Sequence, residues 1–128
     1  MKLKTFVVLG AMTLASAAHA QHKHGHEHVE KGPNGGSMSE AGDFHIELIA
    51  KDANVEINVM DHDNKPVATA GFKGIAILSA GGKSVRIVLE PGDVAKLTGK
   101  AQGALPAQPK GVVQITPPNG KTVQAKFN

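Results

Sequence analysis

From Ser37 onward, apolar residues come in short runs set at alternate positions, and turn-forming residues interrupt them about every ten residues, a spacing typical of an all-β sandwich or barrel. The clearest run is 43–50, where Phe44, Ile46, Leu48 and Ala50 alternate with Asp43, His45 and Glu47. A two-residue period places the first set toward a core and the second toward the opposite face. Val55, Ile57 and Val59 form a matching inward row. The pattern predicts strands over 37–40, 43–50, 55–60, 73–78, 85–89, 94–99, 111–116 and 122–127. Between them stand Lys65-Pro66, Gly81-Gly82, Pro91-Gly92, Pro106, Pro109 and Pro117-Pro118-Asn119-Gly120, each a breaker or a turn former. Only 93–101 suggests a helix, and Thr98-Gly99 argues against it. The expected fold is all-β: a single antiparallel sandwich of immunoglobulin-like type, with about seven to eight strands, over residues 37–128.

The same alternation fixes the register of two hairpins. Pairing Lys51 with Asn54 around Asp52-Ala53 sets Leu48 against Ile57 and Ile46 against Val59, so core meets core; a slip of one residue would pair core with surface. In this register His45 faces Met60, Glu47 faces Asn58, and Asp43 faces His62 as the strand runs out. The last hairpin fits a three-residue loop, Pro118-Asn119-Gly120, closing a type I turn with Gly in the left-handed position. That loop sets Ile115 against Val123 and Val113 against Ala125.

Upstream the pattern changes twice. Lys2 and Lys4, an apolar run over 6–18 and the small residues around Ala18-His19-Ala20 have the order of a secretory signal. The run is too short to span a bilayer. We therefore expect residues 1–20 to be a cleaved signal and the product to be periplasmic. Residues 21–36 are His, Gly, Lys, Glu, Pro and Asn with Val29 as the one aliphatic, which reads as a flexible or disordered arm.

Cleavage would remove Lys2 and Lys4 from the 14 basic residues, leaving 12 against 11 acidic ones, so the basic balance of the whole chain is no argument for nucleic acid. The chain has no Trp, Tyr or Cys. Disulfides and thiolate metal sites are thereby excluded, and with only Phe44, Phe72 and Phe127 as aromatics past the signal no stretch combines clustered basic residues with aromatics, so no nucleic-acid partner is expected. No membrane span is expected once the signal is gone.

The arm carries the first candidate chemistry. His22, His24, His26 and His28 occupy every second position and have no core role in a segment without apolar neighbours. Alternate imidazoles on a flexible chain can converge on one ion, and unprotonated rings are available near neutral pH. Ordering such an arm costs chain entropy, which favours exchange over permanent retention. Glu27 and Glu30 can add oxygen ligands. The competing reading is a solubilising, pH-sensitive linker.

The second candidate is the outer face of the first hairpin, where Asp43, His45, Glu47, Met60 and His62 come together by register. Imidazoles suit copper, zinc, nickel or cobalt, a carboxylate adds charge, and a thioether serves chiefly cuprous copper. The competing reading is an ordinary solvated strand face with a polar turn at Asp61-His62-Asp63-Asn64. That turn lacks the Gly and the distal Glu of a calcium loop.

No catalytic constellation is present: there is no Cys nucleophile, no His-Glu-x-x-His, and no nucleophile elbow around the Ser residues. The chain is not expected to be an enzyme.

Gly32-Pro33-Asn34-Gly35-Gly36, Glu40-Ala41-Gly42, His45-Ile46-Glu47-Leu48, Asp61-His62-Asp63-Asn64-Lys65-Pro66-Val67 and Gln124-Ala125-Lys126-Phe127 follow in an order that carries a resemblance. The chain from Gly32 onward resembles a small exported β-domain. That domain occurs alone and as an extra N-terminal segment of the adaptor (membrane-fusion) subunits of heavy-metal efflux pumps. The resemblance implies a metal-resistance setting and no enzymatic activity. Where such domains commonly carry His before the paired Gly, this chain has Asn34, so no ligand is assigned to that loop.

The expectation is a periplasmic transition-metal-binding protein, for copper or zinc first and nickel or cobalt next, that buffers metal or passes it to an efflux-pump component. Its expected ligands are His22, His24, His26, His28, His45, Glu47, Met60 and His62. The alternative is an adhesion or assembly module that binds a protein partner through a strand edge, with incidental histidines.

Overall fold

The computed structural model describes residues 30–128. The expected signal and residues 21–29 of the arm, with His22, His24, His26 and His28, lie outside the described residues. Eight strands follow in chain order: β1 (Ser37–Ala41), β2 (Phe44–Lys51), β3 (Asn54–Met60), β4 (Lys73–Ala80), β5 (Lys83–Pro91), β6 (Lys96–Lys100), β7 (Gly111–Thr116) and β8 (Val123–Phe127). Every predicted strand is present with ends displaced by at most two residues, and 93–101 holds a strand, not a helix. Among the described residues, no helix is long and apolar enough to cross a membrane.

All pairings are antiparallel, in the order β1-β2-β3-β6-β5-β4-β7-β8. The meander β4-β5-β6 is followed by a long return that lays β7 beside β4, a Greek-key connection. The outermost strands β1 and β8 then meet. Ser39 Oγ donates to the Lys126 carbonyl at 2.7 Å across that seam. The all-β class is as expected, and the eight strands form a nearly closed, barrel-like sheet. Closure is incomplete, since β1 and β8 remain the two ends of the hydrogen-bonded order.

Both registers expected from the alternation are observed. β2 and β3 pair Leu48 with Ile57, Ile46 with Val59, His45 with Met60 and Glu47 with Asn58. β7 and β8 pair Ile115 with Val123 and Val113 with Ala125. The Gly120 N–H donates to the Pro117 carbonyl at 2.9 Å, with Gly120 at a φ of 82°.

The barrel interior is the core. Ile46, Leu48, Ile57, Leu78, Ile87, Leu97 and Ile115 are fully enclosed. Each such side chain is worth roughly 1.5–3 kcal/mol of hydrophobic stabilisation. Charged residues on β5 (Arg86, Glu90) alternate outward with this set.

The outer face of β2 and β3 departs from simple alternation. Glu47, Asn58 and Met60 point away from the barrel interior by period, yet all three are buried. Over Glu47 lies the segment 30–36, which composition groups with the arm. Here it is held by a Lys31–Ser37 bridge, by the Met38 N–H donating to the Glu30 carbonyl at 2.8 Å, and by a turn in which the Gly35 N–H reaches the Gly32 carbonyl at 3.0 Å. Met60 forms a bridge with Pro66 as the chain doubles back after β3.

Candidate metal centre

Glu47 explains the order of the Gly-Pro-Asn-Gly-Gly segment. Its Oε1 accepts from the backbone N–H groups of Asn34 (2.8 Å) and Gly36 (3.0 Å), and its Oε2 accepts from Asn34 Nδ2 (2.8 Å) and, more weakly, Asn58 Nδ2 (3.5 Å). Gly32 and Gly36 are glycines because a Cβ at either position would run into the Glu47 side chain, and at Gly36 it would also sit 2.5 Å from the Leu48 carbonyl oxygen. Asn34 therefore binds a carboxylate through two donors. Alternation alone assigns Glu47 to an open face; in the structure it is 0 % exposed and engaged on both oxygens.

Two residues back along β2, the surroundings differ. His45 Nδ1 lies 2.7 Å from Asn64 Oδ1. An amide oxygen can only accept, so the neutral ring carries its proton on Nδ1 and its lone pair on Nε2. This is the arrangement found around metal-binding imidazoles, where a hydrogen bond at one nitrogen orients the other toward the ion. Asn64 holds the acceptor in place through a tight turn. Asp61 Oδ1 accepts from the N–H groups of Asp63 and Lys65, both at 2.9 Å, and Asn64 adopts a left-handed φ of 58°. Asp61 thus serves the turn.

His45 Nε2 faces Glu40 Oε1 at 3.5 Å. Glu40 is the cross-strand partner of His45 in the β1–β2 ladder. The pair opens on a cleft of about 250 Å³ whose walls include Glu30, Lys31, Met38 and Asn64. Its formal charge from Glu30, Glu40 and Lys31 is one negative unit, which favours a cation.

His62 packs its ring edge-on against that of His45, with centroids 5.4 Å apart. Its Nε2 addresses a different carboxylate, Asp43 Oδ1 at 3.9 Å. Both side chains are well solvated, at 62 % and 98 % exposure, so this pair contributes little.

The structure therefore brings His45, His62 and Met60 to one end of the hairpin and sets Glu47 apart under the 30–36 segment. Met60 is 5 % exposed. No group of three or more His, Cys, Asp or Glu residues arranged to hold a metal is found among the described residues. Sequence reasoning missed Glu40 and Asn64. The signal for Glu40 is the two-residue link Gly42-Asp43, which sets Glu40 opposite His45 once 37–40 is accepted as a strand. For Asn64 the sequence offers only an Asn in a turn, a residue that tolerates left-handed backbone. In comparison with protein-family models, curated proteins and solved structures, the chain has no match in any of the three, and the functional reading rests on this geometry.

Proposed function

We propose that this protein is an exported, periplasmic transition-metal-binding protein, without catalytic activity, that buffers a divalent or cuprous ion or passes it to an efflux-pump component. The observation that carries the reading is His45: one ring nitrogen is anchored by Asn64, and the other stands open beside Glu40. The His-rich arm, which joins the described fold at Glu30, supplies further imidazoles. Copper and zinc suit these donors best, with nickel and cobalt next. The scaffold is best described as an immunoglobulin-like sandwich curled toward a barrel. Its halves, β1-β2-β3-β6 and β5-β4-β7-β8, are paired at two positions between β5 and β6 and meet again where β1 lies against β8.

Titration with copper, zinc, nickel and cobalt tests the proposal, run beside a variant lacking residues 21–28 and a His45→Ala, His62→Ala double variant. Binding that is tighter than that of free histidine, and is lost in these variants, supports it. Binding no tighter than free histidine by any of the four ions favours an assembly module with incidental histidines. N-terminal sequencing of the exported product tests cleavage after Ala20.

A further inference from the structure

Gly32-Pro33-Asn34-Gly35 and Pro117-Pro118-Asn119-Gly120 are one turn built twice, each around the same Pro-Asn-Gly sequence. The Gly35 N–H donates to the Gly32 carbonyl at 3.0 Å and the Gly120 N–H to the Pro117 carbonyl at 2.9 Å, with φ of 83° and 82° at the two glycines. Both asparagines are exposed. Sequence, turn and exposure are therefore shared, and the two sites differ in what the asparagine side chain touches.

Asn before Gly is the pair in which a side-chain amide most readily loses ammonia, because glycine has no side chain to obstruct the approach of its own nitrogen. That backbone nitrogen attacks Cγ of the asparagine and closes a succinimide ring. The Cγ–Nδ2 bond breaks, and the amide nitrogen leaves as ammonia with the proton given up by the glycine N–H. Water then adds to either ring carbonyl, and the ring opens to aspartate or to isoaspartate, with no oxidant, reductant or cofactor consumed. During the attack negative charge gathers on Oδ1, so a donor there lowers the barrier and a neighbouring anion raises it.

The setting of Asn119 favours this step. The Lys121 N–H donates to its Oδ1 at 2.9 Å, where the charge develops, and its Nδ2 has no partner among the described residues. The setting of Asn34 opposes it. Nδ2 donates to Glu47 Oε2 and the backbone N–H to Glu47 Oε1, both at 2.8 Å. The departing nitrogen is held, turning Cγ toward the Gly35 nitrogen breaks that bond, and a carboxylate stands beside the developing charge.

We propose that Asn119 is a site of spontaneous deamidation and that Glu47 shields Asn34 from the same reaction. An aspartate at 34 would set a second carboxylate where Nδ2 now meets Glu47. It would unlatch the 30–36 segment, whose Glu30, Lys31, Gly32 and Pro33 wall the cleft beside His45. An aspartate at 119 keeps the acceptor for the Lys121 N–H, so the fold tolerates it.

The test is peptide mapping by mass spectrometry, with aspartate and isoaspartate products separated by chromatography, on the intact protein aged at mildly alkaline pH and on the same protein aged in denaturant. In the folded protein Asn119 should convert about tenfold or more faster than Asn34. In denaturant, where Glu47 no longer meets Asn34, the two rates should converge. Glu47→Gln removes the charge at similar size; it should raise the Asn34 rate severalfold and leave that of Asn119 unchanged. Asn34→Asp should lower the melting temperature by several degrees more than Asn119→Asp does.

Equal rates in the folded protein overturn the inference, as does absence of conversion at Asn119 under conditions where the unfolded chain converts. A difference that survives in denaturant belongs to the flanking sequence and removes the role of Glu47. An Asn34 rate unmoved in a folded Glu47→Gln protein does the same. Should that variant fail to fold, the two aspartate variants decide: equal melting shifts would show that Glu47 does not distinguish the turns.

Discussion

His45 and Glu47 leave β2 on the same side, about 7 Å apart along the strand, and the chain treats them in opposite ways. Glu47 is enclosed, and each of its carboxylate oxygens is met by donors from the 30–36 segment or from Asn58. His45 has one nitrogen bonded and the other left beside a carboxylate at a separation too long for a good hydrogen bond. A side chain whose bonding capacity is filled by its own fold serves the fold, whereas one oriented but left with an open lone pair is equipped to take a ligand. The contrast separates a structural carboxylate from a candidate ligand within one stretch of strand.

The largest effect should come from Glu47→Ala, which removes the acceptor for two backbone N–H groups and the Asn34 amide and leaves a hole under the loop. A loss of about 3 kcal/mol is expected. For a domain of this size that lowers the melting temperature by more than about 10 °C. A melting curve unchanged within a degree or two would show that the 30–36 segment contributes nothing to stability, and the contrast with His45 would vanish.

Next is Gly36→Ala, whose added methyl meets the Leu48 carbonyl oxygen and the Glu47 side chain. Overpacking against backbone should cost about 2 kcal/mol, measured by denaturant titration at unchanged slope.

Asn64→Gly sharpens the other half of the comparison, because glycine keeps the left-handed backbone while deleting the oxygen that anchors His45 Nδ1. Stability should stay within about 1 kcal/mol while zinc affinity falls about tenfold. An affinity equal to that of the parent protein would show that the anchor does not orient the ring.

The smallest effect belongs to His62→Gln. Its pairing with Asp43 is solvated and 3.9 Å long, so a stability change below about 0.5 kcal/mol is expected from thermal melts. A larger loss would mean that the edge-on contact with His45 props up the candidate site.

Strand positions and both hairpin registers were legible because alternation with a buried face leaves one acceptable register: sliding 44–51 by a single residue would drive Ile46 and Leu48 into water. The two-residue link at Asp52-Ala53 and the Pro-Pro-Asn-Gly turn then set where the chain reverses. From those registers alone His45 falls opposite Met60 and Asp43 near His62, and both proximities are observed. The burial of Glu47 was not legible. Period-two patterning says which side of a strand a residue leaves from, not what lies over that side, and the cover here comes from a Gly-rich segment whose composition resembles that of the arm.

Local sequence thus determined the strands, their turns and their immediate partners, since these depend on neighbours within one hairpin and on the two-residue period of extended chain. The nearly closed sheet with β6 inserted between β3 and β5, the enclosure of Glu47, and the anchoring of His45 Nδ1 by Asn64 were decided only by tertiary structure. They depend on groups brought together from distant parts of the chain, and no local periodicity records which of them will meet.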